Sequence, residues 1–415
     1  MSFVAILNAL FRWKSDRVGS TSVFTFRFLG LLLFRKFENE LLRAYRLLCC
    51  SKVSTKCSTV DSRDLMDECR RRATILVFDA ALGGGADVYF RRFKDVELEE
   101  RNVLRVQYVR QAKCYVFSLF AGLKQSPRVL VVKNLNELLH FIPQLHLDQI
   151  LVNSLVSWRK LKDVLGLLSQ ISKNGVKIVF CLHDYYSFCP AINLLKQDRF
   201  CSVSTADCFN CPAAGDRKIL DWRWMWGQFL SLDVSEILVF SHSSKKLLLE
   251  AYPDLHIKIK LKPHYVPSLR KCFIEPHTGI NIAVVGRINN AAKGRDFLNS
   301  LEKVIATHAE VNLIVIGAYN KVDAATVVVG NYDRDELPQL LEKYRADIIL
   351  IPSVCPETFS YTTSEAMLMG LPVACFDLGA QAERVSEYAE GLILKSFEPD
   401  VVLREIVDFV KAQSE

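Results

Sequence analysis

Pro356-Glu357-Thr358-Phe359-Ser360-Tyr361-Thr362-Thr363-Ser364-Glu365-Ala366-Met367-Leu368-Met369-Gly370-Leu371-Pro372-Val373 is the stretch that decides the fold. The apolar run before it, Ile348–Ile351, has the length of a buried strand and ends in a Pro/Ser/Cys turn. A helix is expected to begin near Thr358 or Phe359, its first turns loaded with Thr, Ser and Tyr hydroxyls. The start of a helix presents unpaired N–H groups and a partial positive charge, so it suits a phosphate. Glu357 falls just before that helix and Glu365 within its second or third turn. Two carboxylates beside an anion site have no use toward a bare phosphate. They suit a ligand that also carries sugar hydroxyls, which a carboxylate binds as an acceptor. The plainer alternative is a capped helix with solvated glutamates.

Three other strand ends carry matching chemistry. Val284-Val285-Gly286-Arg287-Ile288-Asn289-Asn290-Ala291-Ala292-Lys293-Gly294 reads as a strand, a loop and a helix start. It aims the cations Arg287 and Lys293 at the same place, and Gly286 permits a close backbone approach. Farther upstream, Phe78-Asp79-Ala80-Ala81-Leu82-Gly83-Gly84-Gly85-Ala86-Asp87 puts three glycines between a strand and a helix. Such a loop lets backbone N–H groups at Gly84 and Gly85 reach a ligand, although a tight turn without one has the same letters. Lys177–Leu182 ends in His183-Asp184, which sets a histidine at the rim of a parallel sheet.

Around these motifs the chain alternates short apolar runs with helical segments. Strands are expected at Ile75–Phe78, Val129–Val132, Gln149–Val152, Lys177–Leu182 and Ile237–Phe240. A second set is expected at Asn281–Val285, Asn312–Ile316, Thr326–Val329, Asp347–Ile351 and Pro372–Phe376. Helices fit between them, for instance Trp158–Ser172, Arg295–Ala306 and Glu336–Tyr344. Continuous apolar strands separated by helices indicate parallel sheets covered on both faces. The pattern pauses over the proline-rich stretch Pro253–Thr278, with a joint near Lys262–His277. The reading is α/β: two doubly wound Rossmann-like domains, 73–265 and 279–396, facing across a cleft where both sets of strand ends meet. A final helix over 397–415 is expected to return toward the first domain.

Composition narrows the function. Half of the 415 residues are hydrophobic and 24% are charged, which excludes a disordered or low-complexity protein. Thirteen cysteines, an odd number in a long chain, argue for a reducing compartment rather than a disulfide scaffold. The formal charge of +7 resides in residues 1–72, with 14 Lys/Arg against 7 Asp/Glu; the rest is neutral. A neutral body argues against a nucleic-acid-binding surface. The apolar runs Phe3–Phe11 and Phe28–Phe34 are too short to span a bilayer, and no secretory signal is expected. Residues 1–48, which mix Phe, Leu and Trp13 with Arg and Lys, either lie on an anionic membrane or pack on the protein. Ser51–Arg72 reads as a linker. Cys189, Cys201, Cys208 and Cys211 crowd one loop, 189–211, with Cys208 and Cys211 in C-x2-C spacing. They are candidate ligands for a structural zinc, with buried free thiols as the rival reading.

The string from Glu357 to Val373 resembles the E-x7-E motif of retaining GT-B glycosyltransferases of the family 4 type (glycosyl transferases group 1). The Gly-Gly-Gly loop and the Cys-Pro-x-x-Asn-Leu run that begins at Cys189 resemble the bacterial polysaccharide and lipopolysaccharide subset. That resemblance implies a nucleoside diphosphate-sugar donor and a glycan or lipid-linked glycan acceptor. It implies ribose binding by Glu365, sugar orientation by Glu357, contact of His183 with the donor sugar or its phosphate, and neutralisation of the diphosphate by Arg287 and Lys293. The nucleotide site would be completed by Gly84, Gly85, Gly286, Phe359, Ser360, Tyr361 and Thr362. Asp333-Arg334-Asp335 reads as a helix start rather than a metal-binding D-x-D, so no obligatory metal cofactor is expected. The expected location is cytoplasmic, peripheral on the inner face of a membrane. A sugar-nucleotide epimerase, a non-catalytic module that binds a sugar nucleotide or a protein partner, and a zinc-bearing nucleic-acid protein are the competing readings.

Overall fold

The computed structural model describes residues 58–414, apart from 82, 124–125, 197–198, 202, 204–207, 209–210 and 212–218. The expected helices and membrane contact of residues 1–48 lie outside these. Ser58–Glu415 forms one compact unit built on two large sheets.

The first sheet contains β1 (Ser58–Thr59), β2 (Thr74–Ala80), β3 (Asn102–Val109), β4 (Cys114–Phe120), β5 (Arg128–Val132), β6 (Gln149–Val152) and β7 (Lys177–Cys181). A small antiparallel ribbon follows, β8 (Leu195–Lys196) with β9 (Arg199–Phe200), and then β10 (Glu236–Val239) and β11 (Ile259–Leu261) complete the sheet. The order is β1-β5-β4-β3-β2-β6-β7-β10-β11. From β3 through β2 to β11 the strands are parallel, as expected. The β3–β4 and β4–β5 pairs are antiparallel, which the sequence reading missed. A tight connection over residues 110–113, with Lys113 at φ 52°, folds β3 back onto β4 without a crossover helix.

The second sheet holds β12 (Ile280–Val285), β13 (Val311–Ile316), β14 (Val327–Val328), β15 (Ile348–Ile351), β16 (Val373–Phe376) and β17 (Gly391–Leu394). Its order is β14-β13-β12-β15-β16-β17 and every pair is parallel. The central strands are mostly buried Ile, Val and Leu, with Asn281 and Asn312 near their starts, as a sheet covered on both faces requires.

Register places the chemistry. Phe78, Val152 and Phe180 are aligned across β2, β6 and β7, so Asp79, Asn153 and His183 emerge from one edge of the first sheet. Val284 pairs with Leu350, so the loops that begin at Gly286 and Pro352 leave the second sheet side by side.

One expectation needs correcting. Ser51–Arg72 is not a linker throughout. Asp61 caps a helix over Ser62–Arg71 by accepting from Arg63 N at 2.6 Å, and Leu65 and Cys69 enter the core of the first domain. The apparently polar run hides this helix because only two of its residues face inward. Arg72 locks its end, donating to the carbonyls of Leu98, Glu99, Glu100 and Ala121. The final helix, Pro399–Ser414, buries Val402, Leu403, Ile406 and Val410 in the core of the second domain. Leu195 of the first domain packs against the same cluster.

Candidate active site

The helix of the Glu string runs over Tyr361–Leu368, with Ser360 as its N-cap. It starts later than Thr358–Phe359 because Ser360 keeps an extended backbone while its hydroxyl accepts from Thr363 N. Ser360 is fully buried, and its oxygen also accepts from Thr363 Oγ1 at 2.9 Å. Its side chain is thus committed to the cap.

Glu357 lies in the loop before this cap. Its Oε1 accepts from Lys293 Nζ at 2.8 Å and from Ser353 Oγ at 2.5 Å, and its side chain is 9% exposed. Burial disfavours the Lys293 ammonium, but the adjoining Glu357 carboxylate outweighs it and raises the pKa above the usual lysine value. Lys293 is placed by the turn before it, where Asn290 Oδ1 accepts from Lys293 N at 3.0 Å. Behind Glu357, its N–H donates to Gln381 Oε1 at 3.0 Å and its carbonyl accepts from Ala380 N at 2.9 Å. Gly379, at φ +63°, is required there, since a Cβ would sit 2.4 Å from Glu357 N.

Glu365 is held differently. Its Oε1 accepts from Arg334 Nε at 2.6 Å, and Arg334 Nη2 reaches Pro267 O in the interdomain segment at 2.5 Å. Burial pushes the Glu365 carboxyl up, with Arg334 opposing. The Asp333–Asp335 stretch is indeed a short helical turn, Arg334–Glu336, capped by Asp333. What the sequence reading missed is that its arginine belongs to the site. Arg287 is exposed and makes no hydrogen bond or ion pair among the described residues. Gly286 (φ +115°) adjoins Thr362, whose Cγ2 would lie 3.9 Å from a Cβ there.

The first domain supplies the facing wall. Gly84, at φ 82°, begins the helix Gly85–Glu97, and the Tyr361 ring packs over Gly85. His183 Nε2 is 2.9 Å from Asn153 Oδ1, and its carbonyl accepts from Thr358 Oγ1 at 2.9 Å, which joins the two domains. Burial and the neighbouring His264 hold the His183 pKa well below its usual value. Asp184 accepts from Tyr186 N and Ser154 Oγ, and burial pushes its carboxyl up to about 6.

His264, which follows β11, was not foreseen. It is hydrogen-bonded through Nδ1 to Tyr361 Oη at 2.6 Å and stacks on Phe359 with ring centroids 4.6 Å apart. Burial, with Arg92 nearby, lowers its pKa to about 3, and its buried Nε2 has no hydrogen-bond partner among the described residues. No periodicity marks a residue in such a segment.

These walls enclose a cavity of about 220 Å³ lined by Gly85, His183, Asp184 and His264 from one domain and Lys293, Glu357, Phe359 and Tyr361 from the other. Gly84, Gly286, Arg287, Ser360, Thr362 and Glu365 do not line it. A pocket flanked by a buried carboxylate, an ammonium and neutral imidazoles can orient a polyhydroxylated ligand with an adjacent anion.

The zinc expectation finds no support. Among the described residues no three His, Cys, Asp or Glu side chains form a group able to hold a metal. Cys189, Cys201, Cys208 and Cys211 are free, and burial pushes the Cys189 thiol up to about 11. The buried Arg223 guanidinium donates to Cys208 Sγ at 3.4 Å, a positive charge where a dication would have to sit.

Residues 279–411 match the family model described as Glycosyl transferases group 1. The fold is similar to that of HepE from Anabaena, solved with UDP-glucose (14% identity, 82% of this chain and 90% of that one, TM-score 0.52). It is also similar to sucrose-phosphate synthase from Thermosynechococcus elongatus (13% identity, 81% and 90%, TM-score 0.54). The lipopolysaccharide outer core galactosyltransferase WaaB is a third likeness (11% identity, 83% and 91%, TM-score 0.51). No curated protein sequence matches significantly. Residues 279–411 are therefore a domain of the glycosyl transferases group 1 family, set in a two-domain body with the GT-B fold.

Proposed function

We propose that this protein is a retaining glycosyltransferase that moves a sugar from a nucleoside diphosphate-sugar to a hydroxyl of a glycan or lipid-linked glycan. The observation that carries this is the Lys293–Glu357 pair at the wall of a cavity whose opposite wall is His183. In the transfer, the acceptor oxygen bonds to the anomeric carbon as the bond from that carbon to the diphosphate breaks. The acceptor proton goes to the departing phosphate, so Glu357 orients the sugar without attacking it. Lys293, the exposed Arg287 and the first N–H groups of Tyr361–Leu368 would stabilise the charge that builds on the diphosphate. Glu365 would take the ribose hydroxyls, exchanging Arg334 for them or sharing both. No step calls for a divalent metal. Residues 1–48 would hold the enzyme at an anionic membrane, where lipid-linked acceptors lie. Among the described residues no helix is long and apolar enough to cross a membrane.

A thermal-shift screen over UDP-, GDP- and dTDP-sugars tests the donor reading, because a ligand bound only by the folded state raises Tm. The HepE complexes make UDP-glucose the first probe. One nucleotide class should stabilise the protein and be hydrolysed slowly without acceptor. Stabilisation with no turnover under any acceptor would favour a binding module. No stabilisation by any of them would overturn the donor reading.

A further inference from the structure

The orientation of the Asn153 amide is set by its neighbours. Asn153 is fully buried, and its Nδ2 donates to Asp79 Oδ1 at 2.8 Å and to Ala86 O at 3.1 Å. Both are acceptors. Asp79 is 1% exposed, and its two oxygens also receive Ala80 N–H at 2.8 Å and Arg105 Nε at 2.7 Å. Burial alone would push this carboxyl up, but a group receiving an arginine and two further N–H donors is read as a carboxylate. Arg105 is itself anchored by Asp87 Oδ1 at 2.8 Å. The amide nitrogen is therefore committed, and Asn153 Oδ1 must be the atom that faces His183 Nε2 at 2.9 Å.

An amide oxygen only accepts, so Nε2 of His183 carries the hydrogen. A neutral imidazole has one N–H and one lone pair. The lone pair of His183 is then on Nδ1, which has no hydrogen bond among the described residues although His183 lines the cavity. Phe240, stacked on the ring at 4.5 Å, and Tyr89, edge-on at 4.9 Å, hold its plane.

We propose that Asp79 and Asn153 are positioning residues that lock His183 as its Nε2–H tautomer, so that Nδ1 is offered to the cleft as a hydrogen-bond acceptor. This rests on the donor reading above and sharpens it. An acceptor nitrogen takes a hydroxyl hydrogen of the sugar and turns away a phosphate oxygen, which can only accept. His183 thus reads the sugar, leaving the diphosphate to the cations of the other domain.

The test is the tautomer itself, read in full-length protein labelled with 15N-histidine and assigned with His183→Gln. Two-bond proton–nitrogen correlations should show a protonated Nε2 and a bare Nδ1 in the wild type at neutral pH. Asn153→Leu should scramble that pattern. It should also lower kcat/KM for the sugar donor about tenfold, the value of one lost hydrogen bond, while binding of the free nucleoside diphosphate stays within about twofold. A wild-type Nδ1–H tautomer or imidazolium overturns the proposal, as does a pattern unchanged by Asn153→Leu. The wild-type spectrum needs no variant, so a misfolded Asn153→Leu does not blunt the first arm. A correct tautomer in a protein that no sugar nucleotide stabilises would count against the donor reading alone.

Discussion

Replacing Lys293 by Met separates what the Lys293–Glu357 pair does for the fold from what it does for the ligand. The Glu357 side chain is 9% exposed, while that of Lys293 is 42% exposed, so the pair is buried at one end and wet at the other. Orphaning one member of a fully buried pair costs about 3–5 kcal/mol, and losing a surface pair about 0–1 kcal/mol. Ser353 Oγ stays on the carboxylate at 2.5 Å after the change. An intermediate loss of about 2 kcal/mol is therefore expected, which in a protein of this size lowers Tm by about 2–3 °C. Adding Glu357→Gln removes the stranded charge, so the double variant should regain most of that loss. Binding behaves differently. A charge-assisted bond to the diphosphate is worth about 1.5–3 kcal/mol, so both variants should bind the preferred nucleoside diphosphate at least about tenfold more weakly. Scanning fluorimetry gives the first quantity and titration calorimetry the second. A Lys293→Met protein with unchanged Tm, or a double variant no more stable than the single, refutes the electrostatic account. Unchanged nucleotide affinity refutes the assignment of Lys293 to the diphosphate.

Other expectations follow from the same geometry. Glu365→Ala should abolish donor turnover while the protein stays folded by circular dichroism, and unchanged kinetics would remove Glu365 from the site. Gly379→Ala would force a Cβ to within 2.4 Å of Glu357 N at φ +63°. At least about 1–2 kcal/mol of stability should go, together with most activity, and a neutral outcome in both denaturation and turnover would show that the Glu357 loop is not braced from behind. Asp184 gives a pH signature. Its carboxyl is raised by burial from 3.8 to about 6. Its contribution to stability is full below the unfolded pKa and is lost as pH rises through about 6. Wild-type Tm should therefore fall relative to Asp184→Asn between pH 4 and 7, and parallel Tm curves would contradict this. Removing residues 1–70 should weaken pelleting with anionic vesicles and spare donor binding. That cut also removes most of the Ser62–Arg71 helix, so deletion of residues 1–57 is the cleaner control, and vesicle binding that survives both would leave the extension with a packing role.

The strand-and-helix rhythm of the second domain was readable because each central strand is a short apolar run bounded by turn residues, as in Ile348–Ile351. The Glu string and the Gly-Arg…Lys-Gly loop were readable for a related reason: a parallel sheet delivers the residues after each strand to one edge. The same rule applied to Val152 would have found Asn153. Arg334 and His264 were beyond it. Arg334 reaches Glu365 across 31 positions of sequence, and His264 meets Tyr361 across 97. Both sit in segments without periodicity, where tertiary contact alone assigns a role. The β3–β4 hairpin was missed because its turn, Arg110-Gln111-Ala112-Lys113, has none of the Gly, Asn or Pro that usually announce one. Its φ of 52° falls on a lysine.

Phe359 carries a consequence for motion. It belongs to the loop before the Tyr361–Leu368 helix of the second domain, yet it is 9% exposed within a cluster that includes Ile75, Val77, Phe90 and Phe240 of the first. Extracting such a ring from an apolar pocket costs about 1.5–3 kcal/mol. Two neighbouring links, Thr358 to His183 and Tyr361 to His264, break in the same movement. The latch between the domains and the loop that carries Glu357 are thus one piece of chain. Separating the domains must break this latch, whereas Glu357, braced by Lys293, Ser353 and Gln381 of its own domain, keeps its partners, so the cost of opening falls on Phe359 and its two neighbours.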